Sequence, residues 1–395
     1  MYVSERLANM QESPIRKLIP YAEYAKSMGR HVYHLNIGQP DIETPASFMD
    51  AVRQFDDKVL AYAPSQGIPE LISSIIDYYK IYNLDFDNEE ILITYGGSEA
   101  LLFSILAITD PDDEILIPEP YYTNFTGFCQ MVNTRIIPIT CKAENGFRLP
   151  NKFEIEGLIK ENTKGILLSN PGNPTGAVYT REELKMLGKL AKKHNLYIIC
   201  DEAYREFVYD DFEFTSFASI KEIADRVIIV DSISKRYSAC GARVGCIASK
   251  NKKIMKEILK LCQSRLCVPV LEQIGATELY KTPKNYFNTI NKEYRKRRDI
   301  VYNALKDIPG IVCEKPSGAF YIMAKLPVDD AEKFATWLLQ DFQLDNSTVM
   351  ITPACDFYAS PNMGTNEVRI AYTLQDKDLV ASMNILKIAL NQYNK

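Results

Sequence analysis

The chain has 395 residues, 46% of them hydrophobic and 25% charged, with 46 Lys and Arg against 51 Asp and Glu for a formal net charge of −5. That balance predicts a soluble globular protein of two or three domains, with no basic excess to mark nucleic-acid or membrane-surface binding. No apolar run approaches the ~20 residues of a transmembrane helix, the N-terminus lacks a secretory signal's apolar core, and nine cysteines without a CxxC pair predict a reduced, cytoplasmic compartment with no disulfide framework and no metal centre.

Strand-like and helix-like patterns alternate along most of the chain. Ile91-Leu92-Ile93-Thr94 is an apolar run ending at Gly96-Gly97, and Leu101, Leu102, Ile105, Leu106 and Ile108 follow at helical spacing. Further strands are predicted at Glu114–Ile117, stopped by Pro118, and at Arg135–Ile139, Gly165–Leu168, Tyr197–Cys200, Val227–Val230 and Gly245–Ala248. Thr180 with Glu183 three residues on forms a capping box that opens a helix. Nearly unbroken apolar strands imply a mostly parallel sheet covered by helices on both faces. The C-terminal third changes character. The charged string Tyr294-Arg295-Lys296-Arg297-Arg298 reads as a solvated helix face, and two alternating strands at Ala319–Met323 and Glu367–Ala371 sit among helices at 330–341 and 376–393, a second, smaller α+β domain.

Ligands of open α/β sheets bind at the carboxyl ends of the strands. After Ile93 come Gly96, Gly97 and Ser98 at a helix N-terminus, whose free N–H groups suit a phosphate. After Leu168 comes the turn-rich loop Ser169–Gly176, after Cys200 come Asp201, Glu202 and Tyr204, and after Val230 come Asp231, Ser232, Ile233, Ser234 and Lys235. Each has a bland reading, a tight turn or a structural ion pair. As a set, a phosphate cradle, an Asn, an Asp and a Lys suit pyridoxal phosphate, whose ring nitrogen needs an anion and whose aldehyde needs a lysine.

The strings Asn170-Pro171-Gly172-Asn173-Pro174-Thr175-Gly176, Asp201-Glu202-Ala203-Tyr204 and Ser232-Ile233-Ser234-Lys235, with Arg243 eight residues after the lysine, resemble the fold-type I aminotransferases of class I/II. The resemblance runs from Asn36-Ile37-Gly38-Gln39-Pro40-Asp41 to Arg369. It implies an α/β fold with a large domain at 45–288, built on a mostly parallel seven-stranded sheet, and a small α+β domain from both chain ends, 1–44 and 289–395. It also implies a homodimer with shared active sites. By the same resemblance Lys235 forms the internal aldimine and moves the proton, and Asp201 partners the pyridine nitrogen. Tyr204 and Asn173 serve the ring's 3-oxygen, and Tyr122, rather than its rival Tyr121, stacks on the ring. Gly97, Ser98, Ser232 and Arg243 form the phosphate cup, to which Tyr62 of the other subunit contributes. Arg369 grips the substrate carboxylate, with Asn173 and the backbone at Gly38 beside it.

Two departures stand out. Ile68-Pro69-Glu70-Leu71-Ile72 lacks the arginine usual after the Tyr62 motif, and Ser98 stands where some aspartate-specific relatives carry lysine. Arg16 and Lys17 are rival cations for a substrate side chain, and both read as solvated. The expected activity is amino transfer from an L-amino acid to a 2-oxo acid, with 2-oxoglutarate as acceptor. The alternative on the same cofactor is a carbon–sulfur lyase or another non-transaminating enzyme, such as a cyclopropane-forming synthase. A DNA-binding regulator with an aminotransferase-like domain would need an added domain, and a nicotinamide oxidoreductase would want a GxGxxG turn, which is absent.

Overall fold

In the computed structural model, which describes residues 1–393, the strands are β1 (His31–His34), β2 (Ile91–Thr94), β3 (Glu114–Glu119), β4 (Arg135–Thr140), β5 (Thr163–Ser169), β6 (Tyr197–Asp201), β7 (Val227–Ser232), β8 (Gly245–Ala248), β9 (Tyr321–Lys325), β10 (Ser347–Met350), β11 (Thr352–Pro353) and β12 (Glu367–Ala371). Seven of them form one sheet in the order β2-β8-β7-β6-β5-β3-β4. Every pairing is parallel except the two made by β8, which runs against both β2 and β7. Period-two alternation sorts the side chains onto two faces. Ile166, Leu168, Ile198, Cys200 and Ile229 belong to one apolar core, and Leu167, Ile199, Ile228 and Val230 to the other. With both faces covered, the strands need no polar side, which is why their sequences read as unbroken apolar runs.

β3 continues through Pro118, past the stop that the sequence places there. β5 pairs with β3 only as far as Leu116, and Pro118 lies opposite Ile139 of the edge strand β4, so its missing N–H breaks no bond toward β5. The capping box at Thr180 and Glu183 forms as expected and opens the helix Arg181–Lys193.

The small domain contains a parallel pair, β1 with β10, and an antiparallel sheet β11-β12-β9. Its core gathers Leu18, Ala22, Val32 and Leu35 with Ile322, Phe334, Leu338, Ile370 and Leu386. Strand β9 starts two residues later than the sequence pattern predicts. Ala319 has a φ of 53°, a left-handed turn that ends the approach before the extended run begins. The string at 294–298 is another correction. Arg297 and Arg298 are buried, not solvated. Arg298 reaches Asp210 at 2.8 Å and Asp299 at 2.7 Å, and Arg297 reaches Asp41 at 2.6 Å, partners too distant in sequence for helix periodicity to reveal, apart from the adjacent Asp299. The helix Lys284–Lys306 that carries them is continuous, with Phe287 in one core and Ile290 and Tyr294 in the other. Among the described residues no helix is long and apolar enough to cross a membrane.

Candidate active site

The carboxyl ends of β6 and β7, neighbours in the sheet, place Asp201 and the Ser232–Lys235 segment side by side. The helix Gly96–Ile108 starts directly after β2, and the loop after β5 brings in Asn173. Together they enclose a cavity of ≈ 220 Å³, closed from the small domain by Arg369 and Tyr321. A wider cavity of ≈ 580 Å³ shares Lys235, Tyr122 and Gly38 with it and opens along the N-terminal segment. A larger open groove of ≈ 1000 Å³ follows the helix Lys284–Lys306 and holds none of the predicted site residues.

One end of the inner cavity is built for an anion. Gly96 has a φ of +74°, and a Cβ there would lie 2.4 Å from Arg243 Nη2. Only glycine provides both the left-handed turn and the room. A Cβ on Gly245 would lie 2.6 Å from the carbonyl carbon of Gly96, so β8 passes tightly beneath the helix start. The first turn, with Gly97 and Ser98, has no side-chain cap, leaving N–H donors at the positive end of a 13-residue helix. Ser232 Oγ lies 2.8 Å from Ser234 Oγ, and Arg243 Nη1 donates to Cys240 O at 2.9 Å and to Ser234 Oγ at 3.5 Å.

The middle holds Asp201, 7% exposed. Its Oδ1 accepts from the Ala203 amide at 3.1 Å, and burial pushes its carboxyl up to about 7, with the nearby Asp231 adding to the rise. No cation is paired with it among the described residues. Tyr204 OH is 2.9 Å from Tyr321 OH. Tyr122 flanks the cavity with its hydroxyl accepting from Asn124 Nδ2 at 2.8 Å, and burial raises that hydroxyl to about 12. Tyr121 instead turns to Thr126 and stacks on Phe125, outside the cavity. Lys235 Nζ donates to the carbonyl of Gly38 at 2.9 Å, and a Cβ on Gly38 would overlap Tyr321 OH at 1.8 Å.

The far end holds Arg369, 1% exposed. Nη1 donates to Asn173 Oδ1 at 3.0 Å and Nη2 to Asn36 O at 2.7 Å, while Nε has no partner. Its guanidinium carbon sits 4.5 Å from the centre of the Tyr321 ring. Burial lowers its pKa, and among the described residues no acid is paired with it.

The structure thus gathers Gly97, Ser98, Tyr122, Asn173, Asp201, Tyr204, Ser232, Lys235, Arg243, Gly38 and Arg369 around one space. It does not bring Tyr62 there: that side chain is 82% exposed. Lys17, read as solvated, is half-buried between Glu332 at 2.6 Å, in the first turn of the helix Ala331–Gln340, and Asp356 at 2.9 Å, partners 315 and 339 residues away in sequence. Arg16 is exposed along the wider cavity. Gly96 and Ser234, which the sequence places in the strings around the site, also line it or its approach. Tyr321 and the Asn36 carbonyl join them without a signal for that place in the sequence; Tyr321 acquires its place only through the pairing of β9 with β12.

A phosphorylated, protonated aromatic ring fits this donor set. The uncapped helix start with Arg243 would suit the dianion, Asp201 would suit a ring N–H, and Lys235 lines the same cavity. The orphaned Nε of Arg369 adds room for a carboxylate beyond it.

Comparison with known proteins gives the same picture. The family model "Aminotransferase class I and II" matches residues 30–383. An aspartate aminotransferase of Pyrococcus horikoshii is 32% identical over 98% of this chain and 97% of its own length, and a probable aspartate/prephenate aminotransferase of Aquifex aeolicus is 32% identical over 99% of each. Among solved structures, an alanine aminotransferase of Pyrococcus furiosus superposes with a TM-score of 0.91 at 28% identity, covering 99% of this chain and 100% of its own. The Thermus thermophilus aspartate aminotransferase with maleate gives 0.89 at 26% identity, covering 98% and 100%.

Proposed function

The chain belongs to the class I and II aminotransferases, and from that premise we propose that it moves an amino group from an L-amino acid to 2-oxoglutarate, with pyridoxal 5′-phosphate held at Lys235. The names of its relatives make aspartate and alanine the first donors to try. The single observation that carries the substrate class is Arg369, a buried guanidinium with no acid partner facing the same cavity as Lys235. Such a group is costly to bury unless an anion arrives to pair with it, and an α-carboxylate meets its planar fork with two oxygens.

Bound there, pyridoxal phosphate supplies a ring that accepts the electron pair released when the substrate's Cα–H bond breaks. The other tasks fall to the protein. Lys235 Nζ, held at the Gly38 carbonyl, would be the base that takes the substrate's Cα proton. Asp201 holds a proton on the ring nitrogen by its charge. Tyr204 and Asn173 donate to the ring oxygen, Tyr122 covers one ring face, and Gly97, Ser98, Ser232 and Arg243 hold the phosphate. Arg369 would fix the substrate carboxylate and so set how the Cα–H bond is presented to Lys235.

The pairing of subunits, with Tyr62 serving the neighbouring site, belongs to this reading. Val59, Leu60 and Tyr62 form an exposed apolar stretch, which favours a covered position. We also place the division between a large domain, 45–288, and a small one from both chain ends here. The helix Lys284–Lys306 bridges the two cores at that point.

The test is kcat/KM for an amino acid and its decarboxylated amine, in the native protein and in Arg369→Lys, followed by conversion of the cofactor's absorbance to the pyridoxamine form. Arg369→Lys should cost the amino acid about 100-fold and the amine almost nothing. Equal losses move carboxylate recognition elsewhere. Release of ammonia without the pyridoxamine spectrum returns the lyase alternative.

A further inference from the structure

The two chain segments that frame the inner cavity hide more charged groups than they show. From the first, Asp201 and Tyr204 face the cavity, while Glu202, Arg205 and Glu206 do not line it. From the second, Ser232, Ser234 and Lys235 face it, while Asp231 and Arg236 do not. All five hidden groups are buried, Asp231, Arg236 and Glu202 completely. None has a task in the chemistry above.

Asp231 joins them. Its Oδ1 accepts from the Ser232 amide at 2.7 Å and from Arg236 Nη2. Its Oδ2 accepts from Tyr79 OH at 3.2 Å and lies 3.9 Å from Arg205 Nε. Arg205 in turn pairs with Glu202, whose other oxygen accepts from Ser216 Oγ at 2.8 Å. The guanidinium of Arg236 stands 4.7 Å from the Tyr78 ring centre, and that of Arg205 stands 4.8 Å from the Tyr79 ring centre. Burial opposes the charge on both arginines, and Asp231, with Glu202 for Arg205, more than restores it. The same sheet face is packed elsewhere by isoleucine and leucine. Apolar packing of this volume is commonly at least as stable as buried ion pairs. What the ions add is direction: a guanidinium held at one carboxylate fixes the backbone that carries it.

We propose that Asp231, with Arg236 and Arg205, is a positioning centre that bolts the segment carrying Lys235 to the segment carrying Asp201 and Tyr204. It sets where the lysine amine stands relative to the groups that hold the ring. The inference rests on the reading that Lys235 and Asp201 bracket the cofactor.

Asp231→Asn keeps the shape and an acceptor for the Ser232 amide but removes the charge between two guanidinium groups. Arg236→Lys keeps a charge, and Arg236→Met removes it. For Asp231→Asn and Arg236→Met, kcat should fall about 100-fold, the scale of a misplacement near 1 Å, with KM for the amino acid little changed. Arg236→Lys should regain part of kcat. In the cofactor-free protein, the amides of 232–236 should exchange hydrogen faster in both charge-removing variants, while those of β5 stay protected. Normal kcat in Asp231→Asn overturns the proposal. If that variant does not fold, the Arg236 pair decides, and equal kcat in Arg236→Lys and Arg236→Met overturns it. Borohydride fixation of the cofactor to a lysine other than Lys235 would instead overturn the site reading itself, so the two failures are separable.

Discussion

Asp201 is a buried carboxyl with no ion-pair partner among the described residues, and that has a consequence for the cofactor-free protein. Burial lifts it to about 7 in the folded chain, from 3.8 in an unfolded one. Between those values the folded state binds the extra proton. Stability therefore falls as pH rises through the window from about 4 to about 7, by up to about 1.4 kcal/mol per pH unit. A ring N–H arriving at Asp201 restores the charged form and removes the slope. Thermal unfolding of the cofactor-free protein at pH 5 to 8 should show the fall, and Asp201→Asn, which has no proton to lose, should flatten it. The same variant should lose several orders of magnitude in kcat while keeping most of its cofactor affinity, because the charge matters most when electrons enter the ring. A native-like slope in Asp201→Asn would assign the titration to another group.

The start of the helix Gly96–Ile108 is where element geometry and chemistry meet. Gly96→Ala adds a Cβ at 2.4 Å from Arg243 Nη2 and forces alanine into a φ of +74°. Strain of that kind costs about 1–3 kcal/mol, and it displaces the arginine that the phosphate needs. Titration with pyridoxal phosphate should show at least about tenfold weaker binding, with the helix still formed by circular dichroism. Unchanged affinity would remove this helix start from the phosphate cup. The role of the helix was readable in the sequence because strand ends advertise themselves: an apolar run stops, and whatever follows stands at the sheet's carboxyl edge. Asp201, Ser232 and Lys235 were found in that way. Asp231 stands in the same string as Ser232, but its place behind the sheet edge does not show there, since a residue that points behind the edge carries the same letters; Arg205 lies just past the string that holds Asp201. The fate of Arg297 and Arg298 was hidden for a related reason. Helix periodicity shows that charges share a face, but the acids that bury them, Asp41 and Asp210, are supplied by remote loops.

At the scale of the whole molecule, the proposed site gathers its residues in one chain, with Tyr62, 82% exposed, left for a neighbouring subunit. Tyr62→Phe chains should bind the cofactor about tenfold more weakly, the worth of one hydrogen bond to a charged group. Co-expressed with Lys235→Ala chains, they form mixed dimers in which one site carries both lesions and the other none. At limiting cofactor those dimers should exceed both parents in activity. A fully active monomer in sedimentation would end the idea of shared sites.

The parallel pairing of β1 with β10 joins residues 31–34 to residues 347–350, and Arg369 donates to the carbonyl of Asn36. A ribosome delivers residues 31–34 long before residues 347–350. When the chain has emerged as far as β8, all seven strands of the large sheet are present, along with Asp201, Lys235 and Arg243. The segment around Asn36 and Gly38 still has no strand to lie against, and Arg369 has not been made. On the roles proposed above, the growing protein therefore acquires the parts that hold the cofactor well before the arginine that chooses the substrate.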